Sequence, residues 1–115
     1  MKRGDIYWAD LNPRSGSEQR GRRPVLIVSH DGFNQVPGWH SIIVVPISTS
    51  ATQAMRGPTA IHLPKGTGQL KKESIVLCHQ VTTLDRSRLT ERIGTLSLDL
   101  LDAIEEGLRA ALDLK

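Results

Sequence analysis

The sequence predicts a mainly β fold, a small antiparallel barrel followed by one C-terminal helix, and three observations carry that expectation. Short apolar runs rich in branched and aromatic residues recur through the first 96 residues, each bounded by turn material. At Ser97 the hydrophobic period changes from that of strands to that of a helix. A chain of 115 residues has room for one well-buried core and not for two, so residues 1–115 are read as a single domain.

The first strand is expected at Ile6 to Leu11, apolar and aromatic, and the second at Val25 to Ser29, opened by Pro24. A third, Ser41 to Ile47, is dense in Ile and Val, with Pro46 near its end. Thr59 to Leu63 alternates polar and apolar residues, Ser74 to Cys78 runs into Val81 to Leu84, and Arg92 to Thr95 is a short last candidate, which makes five or six strands. Their spacing is that of a small antiparallel barrel. From Ser97 onward Leu101, Ile104, Leu108, Ala111 and Leu112 fall on one helical face. Ser97 suits the N-cap, and Asp99 places a negative charge at the positive end of the helix dipole. Gly107 inside this helix is unfavourable by about 1 kcal/mol relative to alanine, which points to close packing there.

Charge is more informative by position than in its total of +3. Residues 1–96 hold 13 Lys or Arg against 7 Asp or Glu, a net +6, while residues 97–115 hold 2 against 5, a net −3. Four arginines and one acid, Glu18, fall between Arg14 and Arg23. A concentration of that kind is a candidate phosphate-binding loop. The single cysteine, Cys78, excludes an internal disulfide, and a cytoplasmic compartment is the expectation. No run approaches the roughly 18 apolar residues of a membrane span, and MKRGDIYW turns acidic too early for a signal peptide.

The four histidines, His30, His40, His62 and His79, show no metal-binding spacing, and no phosphate-binding glycine motif follows a strand, so neither metal nor cofactor is expected. With only Tyr7, Trp8, Phe33 and Trp39 as aromatic residues, an extended base-stacking platform is poorly supplied. Trp8 suits core or dimer packing; Trp39, in a long loop, is a candidate for base contact. What remains is Ser15 to Pro24, SGSEQRGRRP, where two glycines give backbone freedom and Arg23 stands beside a strand. A fixed guanidinium forks onto two phosphate oxygens as an ammonium cannot. The third strand runs out into Ser48, Thr49 and Ser50, hydroxyls that reach the same phosphate if the two strands are neighbours.

RGDIYWADLNP at Arg3 to Pro13, GSEQRGRRPVLIVS at Gly16 to Ser29, VVPIS at Val44 to Ser48, L-x-K-x-S at Leu70 to Ser74 and HQVTTLDRSRL at His79 to Leu89 together resemble the MazF/PemK family of toxin ribonucleases. The resemblance runs over nearly the whole chain. It implies an SH3-like barrel of the CcdB/MazF/Kid kind with a C-terminal helix, a homodimer, metal-independent cleavage of single-stranded RNA and neutralisation by a MazE-like antitoxin. It places the family's catalytic arginine on Arg23 and its hydroxyl partner on Ser48. The family commonly has threonine at the latter position, so Thr49 is a second candidate for the hydroxyl. Glu18, Gln19 and Arg20 match the substrate-gripping loop, and Gln80 the glutamine before the TLDRSRL segment, so these four and Thr49 are the expected substrate contacts.

The mechanism this resemblance implies is attack of a ribose 2′-hydroxyl on its own 3′-phosphate, with an arginine and a hydroxyl stabilising the charge that gathers on the phosphate oxygens. General base and acid are unassigned, with Glu18 and His30 as candidates. The rival from another class is a CcdB-like toxin that acts on DNA gyrase by protein contact. Such toxins use a tryptophan close to the C-terminal end, where this chain reads Leu112, Asp113, Leu114, Lys115.

Overall fold

A computed structural model describes residues 1–11, 21–50 and 57–115. Among the described residues seven strands form, β1 Asp5–Leu11, β2 Gly21–Ile27, β3 Ser41–Ser48, β4 Ala60–Leu63, β5 Ser74–Leu77, β6 Thr82–Asp85 and β7 Leu89–Thr95. A one-turn helix, α1 Asp31–Asn34, precedes β3, and α2, Leu98–Leu112, follows β7. The strand order is β4-β5-β3-β2-β1-β7, with β6 also paired to β3, and the pairings are antiparallel. The expected mainly β fold with a C-terminal helix is what forms.

β3 organises the sheet. Its first half pairs with β6, Ser41 opposite Asp85 through Val44 opposite Thr82, and its last two residues pair with β5, Ile47 opposite Val76 and Ser48 opposite Ile75. The change of partner falls at Val45 and Pro46, where proline has no N–H to offer a ladder. On its other edge β3 holds β2, with Val25, Leu26 and Ile27 opposite Pro46, Val45 and Val44.

Alternation along the strands feeds two apolar clusters. Ile6, Leu26, Val45 and Ile47 pack with Leu63, Val76 and, from α2, Leu101 and Ile104. Ala9, Val25, Ile27, Ile42, Val44 and Leu84 form the second cluster on the opposite side. Three successive residues of β2, Val25 to Ile27, are therefore wholly buried, one toward one cluster and two toward the other. The Ser97 hydroxyl caps α2 by accepting a bond from Leu100 N at 3.3 Å. At Gly107 a Cβ would stand 2.8 Å from Cys78 Sγ and 3.0 Å from Ile61 Cγ1, which explains the glycine.

Three expectations need correction. β2 begins at Gly21, four residues before the predicted Val25, because its first half is exposed and pairs only with β1, which leaves no apolar signature. It also ends at Ile27, because Val28 N and Ser29 N both donate to Ile43 O and Ser29 turns its other groups to Asn34: its hydroxyl donates to Asn34 Oδ1, and Asn34 Nδ2 donates to Ser29 O at 2.7 Å. The run from Ser74 to Leu84 is two strands split by a 3-10 turn at Cys78–Gln80, and the last strand starts at Leu89.

Candidate functional site

Arg22 and Arg23 are adjacent on β2 and so point to opposite faces of the sheet. Arg23 lies opposite Ala9 of β1. On the other edge the β2–β3 register sets Val25 opposite Pro46, and the same count carried two residues further brings Arg23 level with Ser48. Residues two apart on a strand share a face, so Arg23 and Ser48 emerge on the side of Val25 and Pro46. The two strands, β2 and β3, are neighbours, and their pairing ends two residues short of Arg23 and Ser48.

Ser48 is 8% exposed and is held from β3's other edge by Ile75. Its Oγ accepts a hydrogen bond from Ser50 N at 3.0 Å, which orients the oxygen and leaves its own proton to be donated. Ser48 thus has its backbone held by β5 and its hydroxyl oriented by Ser50. Thr49, the alternative, is exposed just past the strand and lines a cleft on the other face.

Arg22 turns to that second face. Its guanidinium carbon sits 4.5 Å from the centre of the Trp8 ring, and Nη2 is 3.3 Å from Glu91 Oε2 on β7. Trp8, read from the sequence as core or dimer packing, is half-buried and stacked under an arginine. Gln80 occupies the turn between β5 and β6, the two strands that share one edge of β3, and its Nε2 is buried with no hydrogen-bond partner. Glu18, Gln19 and Arg20, together with Arg14, lie outside the described residues.

Two further candidates are carried away from this point. His30 caps α1, its Nδ1 accepting a bond from Gly32 N at 2.7 Å, and it follows the far end of β2. The four steps of extended strand from Arg23 to Ile27 alone span about 13 Å. Trp39 precedes β3 at the end opposite Ser48, stacks on Phe33 with centroids 4.8 Å apart and donates its Nε1–H to Ser41 O at 2.7 Å. Neither reaches the Arg23 and Ser48 level from there.

Sequence reasoning missed a cleft of about 800 Å³ beside Thr49, lined among others by Trp8, Gln69, Lys71, Lys72 and Arg92. Its clearest signal, a left-handed backbone at Gln69 with φ of 69°, has no trace in the residue type. Among the described residues no three His, Cys, Asp or Glu side chains gather as metal ligands. No helix among them is long and apolar enough to cross a membrane.

The sequence matches the family of PemK-like, MazF-like toxins of type II toxin–antitoxin systems over residues 2–112. It is 36% identical over 114 residues to the endoribonuclease MazF2 of Mycobacterium bovis, covering 99% of this chain and 98% of that protein. To the endoribonuclease EndoA of Bacillus subtilis it is 35% identical over 114 residues, covering 99% and 96%. Among solved structures, MazF of Deinococcus radiodurans superposes with a TM-score of 0.79 at 29% identity, over 98% of this chain and 96% of that one. The MazE–MazF complex of the same organism gives 0.76 at 28% identity, over 100% and 97%. A match that begins before β1 and ends with α2 takes in every described strand and both helices, and on that basis the chain belongs to the PemK-like, MazF-like toxin family.

Proposed function

We propose that this chain is an endoribonuclease toxin that cuts single-stranded RNA at a short sequence, with Arg23 and Ser48 as its catalytic residues. The observation that supports the reading is the antiparallel pairing of β2 with β3, whose register, continued two residues past Val25 and Pro46, would set Arg23 level with Ser48. In the reaction the 2′-oxygen forms a bond to the adjacent phosphorus while the bond from phosphorus to the 5′-oxygen of the next nucleotide breaks. The 2′-hydroxyl gives up a proton and the departing 5′-oxygen takes one up, so the products are a 2′,3′-cyclic phosphate and a 5′-hydroxyl. Negative charge grows on the non-bridging oxygens, where the Arg23 fork and the Ser48 O–H act as donors already in place.

Glu18, Gln19, Arg20, Thr49 and Gln80 are the proposed substrate contacts. The whole chain acts as one toxin domain, in the cytoplasm, as a homodimer and without a metal. Its antitoxin is MazE-like, a reading supported by the likeness to the MazE–MazF complex.

Rates on a defined RNA test this. Arg23→Lys keeps the charge and loses the fork, and should cost about 10²- to 10³-fold in turnover, as should Ser48→Ala, while Ser48→Thr keeps the hydroxyl and most of the rate. Cleavage should persist in excess EDTA and stop when the nucleotide 5′ to the cut is 2′-deoxy. Near-parental turnover by Arg23→Lys at saturating RNA would move the catalytic assignment elsewhere.

A further inference from the structure

We propose that the cleft between β1, β7 and the Thr67–Gln69 turn is a subsite for RNA flanking the cut, with Trp8 and Gln69 meeting a base and Lys71, Lys72 and Arg92 meeting phosphates. The proposal rests on the assignment of cleavage to Arg23 and Ser48. The cleft encloses about 800 Å³ and opens beside Thr49, the residue after Ser48. A strand whose scissile phosphate meets Ser48 therefore turns over the end of β3 at Thr49 and enters the cleft on the other face.

The walls are built for an anion with flat bases. Three cations line it, against one carboxylate, Glu91, which is already 3.3 Å from Arg22. Lys71 and Lys72 are exposed, and Arg92 is anchored through Nε to the buried Asp5, 3.6 Å away. Trp8 supplies an aromatic surface whose ring is fixed by the Arg22 stack. Base stacking on such a ring tolerates any sequence, whereas an amide such as that of Gln69 both donates and accepts, which suits a base edge.

Gln69 gives an independent reason to read this as a site. Its φ is 69°, in the left-handed region where glycine is at ease and a branched-off side chain is not. The turn cannot relax that conformation, because it is pressed onto the sheet: a Cβ on Gly68 would stand 2.6 Å from Ile6 Cδ1, and one on Gly94 would fall on the Gly68 carbonyl oxygen. Glycine at 69 would remove the strain, and the residue that stands there instead is a glutamine that lines the cleft against its backbone preference.

The test uses the full-length toxin, a short oligonucleotide spanning its cleavage word and the same oligonucleotide extended by four nucleotides on either side. Binding is read with 2′-deoxyribose at the cut, cleavage with ribose. Extension on one side should tighten binding about 10-fold, within the range of one stacked base. Lys71→Ala with Lys72→Ala should abolish that gain and flatten the salt dependence of log Kd for the extended RNA by about 1.4, two phosphate contacts at ~0.7 each. Gln69→Gly, which relieves the backbone and so needs no structural excuse, should change the base preferred in the extension.

A length gain absent on both sides, or one that survives these variants, overturns the proposal. So does loss of antitoxin binding in the lysine variant with the RNA gain intact, because the cleft is then a protein site. If Arg23→Lys and Ser48→Ala cut like the parent while the length gain behaves as described, the cleavage assignment fails and the subsite stands.

Discussion

Replacing Gly94 with alanine asks whether the Thr67–Gln69 turn is fixed by β7. The added Cβ would fall on the Gly68 carbonyl oxygen, 2.7 Å from its carbon and 3.1 Å from Gln69 Cγ. Restoring an ordinary carbon–carbon separation of about 3.5 Å requires the turn to retreat by about 0.8 Å and clearing the nearer carbonyl oxygen requires more, and the obstacle is backbone, which cannot swing aside as a side chain does. Leu70, 7% exposed within the first cluster, moves with the turn. If the turn stays, overpacking costs about 1–3 kcal/mol; if it lifts, exposing Leu70 costs about 1.5–3 kcal/mol. Either route predicts a loss of about 2 kcal/mol in urea unfolding, together with loss of the RNA length gain. Gly38→Ala is the control, since nothing stands within 4 Å of its Cβ, and it should change stability by no more than about 0.5 kcal/mol. A Gly94→Ala protein as stable as that control would refute the docking of the turn against β7.

Asp31 and Cys78 give two further expectations. Arg3 N donates to Asp31 Oδ1 at 2.6 Å and Asn34 Nδ2 at 3.0 Å, and the Arg3 backbone bond above all holds this carboxyl below its ordinary value. Its contribution to stability is therefore complete above the usual carboxylate range, about pH 4, and is lost as pH falls through the lower folded value. Melting curves from pH 6 to pH 2 should show a shallower acid limb for Asp31→Asn; identical limbs would remove Asp31 as its source. Burial pushes the Cys78 thiol up to about 11, and Sγ packs 3.8 Å from Ile104 O. A thiol reagent at pH 8 should label native protein slowly and at a rate that climbs with urea, whereas labelling at the speed of a free thiol would show that the turn at Cys78–Gln80 opens readily.

How much of this was legible in the sequence depends on whether a residue's environment shows in its own type. Val25 to Ile27, Ile42 to Ile47 and the helix after Ser97 announce themselves because burial selects apolar residues at a fixed period. The start of β2 does not, since Gly21, Arg22 and Arg23 are exposed and are strand residues only by pairing with β1. α1 is too short for a period and depends on the His30 cap. Arg23 and Ser48 were legible as residues of the right chemistry, but the pairing of β2 with β3 that would bring them level is a matter of register between strands. The cleft was illegible because its members come from β1, β7 and the segment before β5, and because the backbone angle that distinguishes Gln69 is imposed by Gly68 and Gly94.

The placement of the arginines follows from where β2 is held and where it is not. From Val25 to Ile27 the strand has β1 on one edge, β3 on the other and an apolar cluster on each face, so its direction and its alternation are fixed. At Pro24 the contact with β3 stops, and a proline is tolerated there because no N–H is wanted on that edge. The two residues beyond keep the alternation but emerge from the core, which sends Arg23 to the Ser48 side and Arg22 onto Trp8. A phosphate-stabilising donor has to be in position before charge develops, since reorganisation during the reaction would consume the advantage. An arginine two residues from a fully buried valine on the same strand meets the requirement that the proposed catalysis sets.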